Sequence, residues 1–340
     1  MHIAEGIITG AAAVGYTAAG LAVVGCGAVR MKKFIADHPE KKPLLGMGGA
    51  LIFFISLIPI PAFTGTCSHP CGTPLIGILL GPLIGGGLAG ISLLLQAAFF
   101  AHGGFGTWGA NVVALGFFGC FSGWAVFRLA RSMGLPLWAA GFAGGLIGDL
   151  MVYASSGFIL GGALSSAPTP QYSFSGYLVA IYAAYLPTQL PIAVGEMLIT
   201  GLALQYAFNQ RPEVLESLGI GLPGGKTSAK KTLILMLLPL PLALTPAVGR
   251  ATPESGEKAD AAAGFRETED RGRFAGMDEA VNERLAEAAG RPARDPYIDT
   301  ESMGDVWNLL LLAAGGVCGF ILGRWWHLLW GDRRGSADGN

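Results

Sequence analysis

The residues able to do chemistry in this chain are few, and they sit mainly at its start and in two later loops. Met1-His2 comes first. A free terminal amine, the His2 backbone nitrogen and His2 Nδ1 would close fused five- and six-membered chelate rings around one ion. The amide must lose its proton, which late first-row ions such as Ni²⁺, Co²⁺ and Cu²⁺ promote. Three nitrogens in a plane leave one position open, an arrangement that favours Ni(II) or Cu(II). The same two residues also suit a frayed, solvated terminus. His69, in TGTCSHPCGTPL, could supply the fourth nitrogen or be an ordinary polar loop residue. Its neighbours Cys67 and Cys71 suit three roles: soft ligands, a local disulfide, or small buried side chains. Thiolates would match Zn or Cu(I) better than a nitrogen plane.

Around this core stand weaker candidates. Glu5, three residues after His2, could accept a hydrogen bond from the free His2 ring N–H, as carboxylates behind metal-bound histidines do, or cap the first helix. His102 in AHGGFGTWGANV, with Asn111 nearby, reads as a group that admits the ion or supports its ligands, or as a plain loop histidine. Asp149 and Glu196 lie within apolar runs, where an ionisable residue is a functional suspect; for Glu196 a packing or coupling role fits better than metal capture. His38 and His327 read as interfacial. The chain holds no GxxxxGK[ST] phosphate loop, no HExxH pair and no nucleophile triad.

The elements that must position these groups follow from composition. Of 340 residues, 52% are hydrophobic and 13% charged, about half the charge of a soluble domain. Between Pro43 and Tyr206 only Arg128, Arg131, Asp149 and Glu196 are charged. Such a stretch cannot form a water-facing surface, so the chain reads as an all-α polytopic membrane protein. With a net charge of −1 nothing points to nucleic acid, and cysteines at 26, 67, 71, 120 and 318 form no disulfide framework.

Runs of about 20 apolar residues fall near 7–29, 44–63, 74–101, 107–127, 136–160, 175–207, 231–248 and 306–330. In the first, the basic residues follow the apolar stretch, at Arg30, Lys32 and Lys33, which is the reverse of a cleavable leader. It reads as a retained span with its start outside, and bulky His2 leaves Met1 in place. Positive clusters at 30–42, 128–131, 211–231 and 333–334 share the cytoplasmic side only if even numbers of crossings separate them. Parity therefore predicts a Gly/Pro break within 74–101, giving nine crossings, N-terminus outside and C-terminus inside. The hydrophilic loop 249–305 has 8 Lys/Arg against 14 Asp/Glu, net −6, with a helical pattern over 278–290 that stops at Gly290. Composition divides the chain into a seven-helix core, 1–230, and a two-span hairpin, 231–340, around that extracytoplasmic loop.

MHIAEG at the start, SHPCGTPLIGILLGP at 68–82 and HGGFGTWGANV at 102–112 together resemble the substrate-capture subunit of energy-coupling-factor cobalt/nickel transporters, the CbiM/NikM family. The likeness covers roughly residues 1–210. It implies six helices plus an N-terminal helix whose free end inserts centrally, with the Met1 amine, the His2 amide and ring, and the His69 ring as ligands for Ni²⁺ or Co²⁺. It also implies a non-enzymatic chain working with a transmembrane coupling subunit and cytoplasmic ATP-binding subunits on separate chains. Gly46, Gly48, Gly49 and Ala50 would give the coupling subunit close contact. Pro70-Cys71 departs from the usual loop. The final hairpin is similar in layout to the small auxiliary (CbiN/NikN-like) subunit, here fused. Two other readings rest on Asp149 and Glu196: a zinc-dependent intramembrane enzyme, and a proton-coupled secondary transporter, whose usual two-half repeat is absent.

Overall fold

The computed structural model describes residues 2–61, 66–100, 102–220, 275–276, 278–295, 309–310 and 313. Met1, the run 231–248 and most of 306–330 lie outside the described residues. The chain divides into two compact units, 1–296 and 297–340, and the first carries the architecture below.

Helix α1 runs Gly10–Asp37, longer than its apolar run because it ends only at His38, where Pro39 forbids the helical backbone of the residue before it. A single 3-10 turn leads into α2, Lys42–Ile55. Its 14 residues rise only about 21 Å, less than a bilayer core. It stops short of the expected residue 63 because Pro59 and Pro61 lack the N–H a helix needs. Ile60–Pro61 (β1) then pairs antiparallel with Thr66–Ser68 (β2).

Parity required a break in the next apolar run, and there is one. Thr73–Leu80 (α3) ends at Gly81, whose φ of +89° a side chain would disfavour, and Pro82 opens α4, Pro82–Phe99. The first half is not a full crossing. Eight helical residues cover only part of the depth, and the non-helical 69–72 supplies the rest from inside the protein, where its backbone has partners. The triple glycine 85–87 does not break α4. It makes room for α1: a Cβ on Gly27 would stand 2.7 Å from the Gly87 Cα.

Trp108–Ser132 (α5) follows, with a π-helical stretch over Val112–Gly119. Leu137–Ser165 (α6) and Phe174–Gln210 (α7) then form the most extensive helix pair, and the short α8, Pro212–Ser217, follows. Among the described residues, α1, α4, α5, α6 and α7 are long and apolar enough to span a membrane. Their outer faces carry exposed Val14, Leu21, Leu94, Val179, Leu190 and Leu202, as lipid contact demands. Gly48 turns inward against Leu80 and Leu88, so it is not free for a partner, whereas Gly46 and Ala50 stay exposed.

The two ends of the bundle differ in kind. At one, Lys41 Nζ donates to the Ser217 carbonyl (3.3 Å), and Ala130, Leu137, Leu204 and Leu215 share one apolar cluster. The positive groups at 30–42, 128–131 and 211 therefore gather together. At the other end lie His2, the 102–107 and 166–173 loops, and part of the acidic segment. There Ala275–Gly276 (β3) joins β2 in parallel, with Cys67 opposite Gly276. A π turn over Asp278–Glu283 leads into α9, Arg284–Ala288, and the turn at Gly290 has a φ of +76°. Over 281–289 the buried residues are Val281, Asn282, Ala286 and Ala289.

Candidate metal centre

Residues 2–9 form no helix. They are an arm pinned by apolar anchors and by polar groups from other elements. Ile3, Ile7 and Ile8 are buried in the main core. Asn111, in the first turn of α5, holds the Ile3 peptide from both sides: its Oδ1 accepts from Ile3 N (2.9 Å) and its Nδ2 donates to Ile3 O (3.2 Å). Thr107 Oγ1 donates to the same carbonyl at 2.7 Å. The residue following His2 is thus fixed by three hydrogen bonds, one on its N–H and two on its carbonyl, which sets where the His2 ring enters the molecule.

Glu5 does not serve His2. Its Oε2 accepts from Gly106 N at 2.7 Å, tying the arm to the loop that bears His102. Two features explain the departure from expectation. Without a helix, residues three apart do not share a face. And Gly104 and Gly106 leave room that a Cβ would fill, each placing it 2.4 Å from a Glu5 carboxylate oxygen.

The His69 loop is held from below and beside. Tyr153 Oη on α6 donates to His69 O (2.9 Å), and Gln189 Nε2 on α7 donates to Ser68 Oγ (2.9 Å). Glu196 Oε2, also on α7, accepts from both Cys71 N (3.0 Å) and Gly72 N (3.1 Å). Glu196 therefore packs the loop, in line with its sequence reading, and lies outside the histidine group. Asp149 is fully buried on α6, likewise apart from the histidines, with the Cys71 thiol beside its carboxyl. Cys71 is a buried free thiol, so the 67–71 disulfide does not form.

These supports bring three imidazoles together. One nitrogen from each of His2, His69 and His102 lies within 4.8 Å of the others. His2 stacks on His69 with ring centroids 5.2 Å apart and meets His102 edge-on at 4.1 Å. His69 Nδ1 lies 3.2 Å from the Pro70 carbonyl, where it donates. That fixes the tautomer that leaves Nε2 as an acceptor. His69 Nε2 in turn lies 3.4 Å from His102 Nε2. Two nitrogens each about 2.0–2.1 Å from one ion stand at most about 4.2 Å apart, so this pair fits adjacent positions on a single ion.

Both His2 ring nitrogens are buried without a protein partner, an arrangement that buried polar groups rarely tolerate. Burial, followed by the neighbouring His102, holds the His2 imidazole well below its usual range; burial does the same to His69. Neutral rings at neutral pH are the form that binds metal. His102, read from sequence as a supporting group, is thus brought into the ring cluster itself. The segment 278–295 touches both the arm, where Arg294 N donates to Glu5 O (2.8 Å), and α7, where Tyr185 Oη donates to Asn282 Oδ1.

Sequence reasoning missed Tyr153, Gln189 and Thr107. A signal existed for Gln189, a lone amide between Pro187 and Pro191 in an apolar span. Tyr153 and Thr107 carried none.

A family profile described as "Cobalt uptake substrate-specific transmembrane region" (CbiM) matches residues 2–214. A cobalt transport protein CbiM of Geobacter sulfurreducens is 36% identical over 339 residues, 99% of this chain and 92% of its own length. That of Sorangium cellulosum is 37% identical over 221 residues, 65% of this chain and 96% of its own. A crystal structure described as a truncated transition metal transporter superposes with a TM-score of 0.53 at 26% identity, covering 62% of this chain and 99% of that one. The chain is a multi-pass membrane protein of a transporter family, not an enzyme, and it belongs to the CbiM family of cobalt uptake proteins.

Proposed function

We propose that this chain is the capture subunit of an energy-coupling-factor importer for a divalent first-row ion, Co²⁺ or Ni²⁺, which is its cargo and not a resident cofactor. One observation carries the reading: the buried His2 ring, with no protein partner for either nitrogen, faces His69 and His102. The proposed ligands are the Met1 amine, the His2 amide and ring nitrogens, and His69 Nε2, with His102 close enough to join them or to pass the ion in. Nitrogen donors of this kind suit late first-row ions better than Mg²⁺ or Ca²⁺.

The chain has no nucleotide-binding motif, so the energy for uptake comes from partners: a transmembrane coupling subunit and cytoplasmic ATP-binding subunits on separate chains. Gathered positive charge at one end of the bundle supports a cytoplasmic assignment for that end. The N-terminus and the histidines would then face outward, in the cell (inner) membrane. Residues 231–340 act as an auxiliary two-span segment. In support, the family profile stops at residue 214, and the Sorangium relative aligns over 221 residues while the Geobacter relative aligns over 339.

The test is the chain end itself. One residue added before Met1 leaves every side chain in place but moves the amine out of the five-membered ring. Purified full-length protein with this extension should lose bound cobalt and nickel in parallel metal analyses while keeping its unfolding profile. Near-normal metal content in the extended protein would refute the chelate.

A further inference from the structure

At the end of the bundle opposite the histidines, a cavity of about 650 Å³ lies between the last turns of α1 and the helix break at Gly81-Pro82. Its floor is apolar, with Leu83 and the rings of Phe121 and Trp124 among the lining residues. Its rim carries Arg30 and Lys33, both exposed on α1, with Asp37 the one carboxylate. Arg30 and Lys33 are three residues apart and so present their charges on one helix face. Arg128 adds a cation behind the wall, its guanidinium carbon 6.0 Å from the centroid of the Trp124 ring. The start of α4 at Pro82, with no side-chain cap and no acidic residue in its first turn, adds to the same positive field.

We infer that this cavity holds one anionic phospholipid, its phosphate between Arg30 and Lys33 and an acyl chain along Leu83, Phe121 and Trp124. The occupant follows from complementarity. Cations stand above an apolar cleft at the level where a membrane-spanning bundle meets the headgroups, and a basic pocket between spans is the form that anionic headgroups select. A zwitterionic lipid would gain only the apolar part. A partner helix would meet a rim of net positive charge at the mouth of its groove, which disfavours it as the occupant.

The experiment uses the full chain in nanodiscs of phosphatidylcholine with and without phosphatidylglycerol, followed by detergent extraction and native mass spectrometry of retained lipid. Wild type and K32Q, a charge change on the same helix outside the cavity, should retain phosphatidylglycerol. R30Q/K33Q should bind it roughly thirtyfold more weakly, and L83W should exclude it by filling the cleft with all cations intact. Metal stoichiometry, set at the far end, serves as the folding control for each variant. Equal retention by wild type and R30Q/K33Q would overturn the site. So would equal retention of phosphatidylcholine, or unchanged phosphatidylglycerol in a folded L83W protein.

Discussion

Two buried polar regions of this chain look alike in sequence and behave differently in structure. At the outer end, His2, His69 and His102 converge, and the His2 ring spends neither nitrogen on the protein. In the bundle interior, Asp149 and Glu196 are as deeply buried, yet Glu196 spends one oxygen on the Cys71 and Gly72 amides and so fixes the loop that carries His69. Binding an ion takes several donors aimed at one point, which the histidines provide and the acids do not. A buried group that is hydrogen-bonded to backbone belongs to the architecture. Depth in the membrane therefore marks a residue as costly to keep, and its partners show what it is kept for.

This contrast can be broken at either end. His2→Ala or His69→Ala should reduce Co²⁺ and Ni²⁺ affinity beyond the about 100-fold that loss of an outer partner reaches, as read by isothermal titration. Retention of tight binding in either variant would remove the histidines from the centre. Asn111→Ala, which removes two of the three hydrogen bonds on Ile3 while leaving every proposed ligand, should weaken binding by about 10- to 100-fold; an unchanged affinity would mean that the arm is held well enough without it.

Glu196→Gln sharpens the comparison from the other side. It replaces the carboxyl that holds the Cys71 and Gly72 amides with a side chain offering one oxygen and an NH2 group, and weakening those two bonds should cost about tenfold in affinity together with a lower melting temperature. A loss of transport with affinity and melting intact would instead give Glu196 a direct part in transport. Asp149→Asn should change binding and uptake least, within about threefold, since the carboxyl lies apart from the histidines and an amide can still accept from the Cys71 thiol. Abolished uptake in that variant, with metal still bound, would revive a proton-coupled mechanism built on the carboxyls.

Local rules made much of the scaffold legible. Apolar length identified the spans, since each helix satisfies its own backbone in lipid. Positive-charge parity located a break that Gly81 and Pro82 then supply through backbone geometry alone. The same rules missed the length of α2 and the partial depth of α3. There the path continues as non-helical chain whose partners lie on α7, more than 120 residues away.

For the site, the sequence by itself determined the donors: a histidine beside the terminal amine, and another in a proline- and glycine-shaped loop. Tertiary structure decided which donors meet. Packing of α4 and α5 brought His102 beside His69, 33 residues away, and turned Glu5 toward Gly106 and away from His2. It also gave Tyr153, Gln189 and Glu196 the task of holding one loop. Residue type fixes what an atom can donate or accept. Which atoms come within bonding distance is set by helix packing across the bundle, where a glycine at 104 or 106 admits a carboxylate that any side chain would exclude. No local pattern in the sequence encodes that distance.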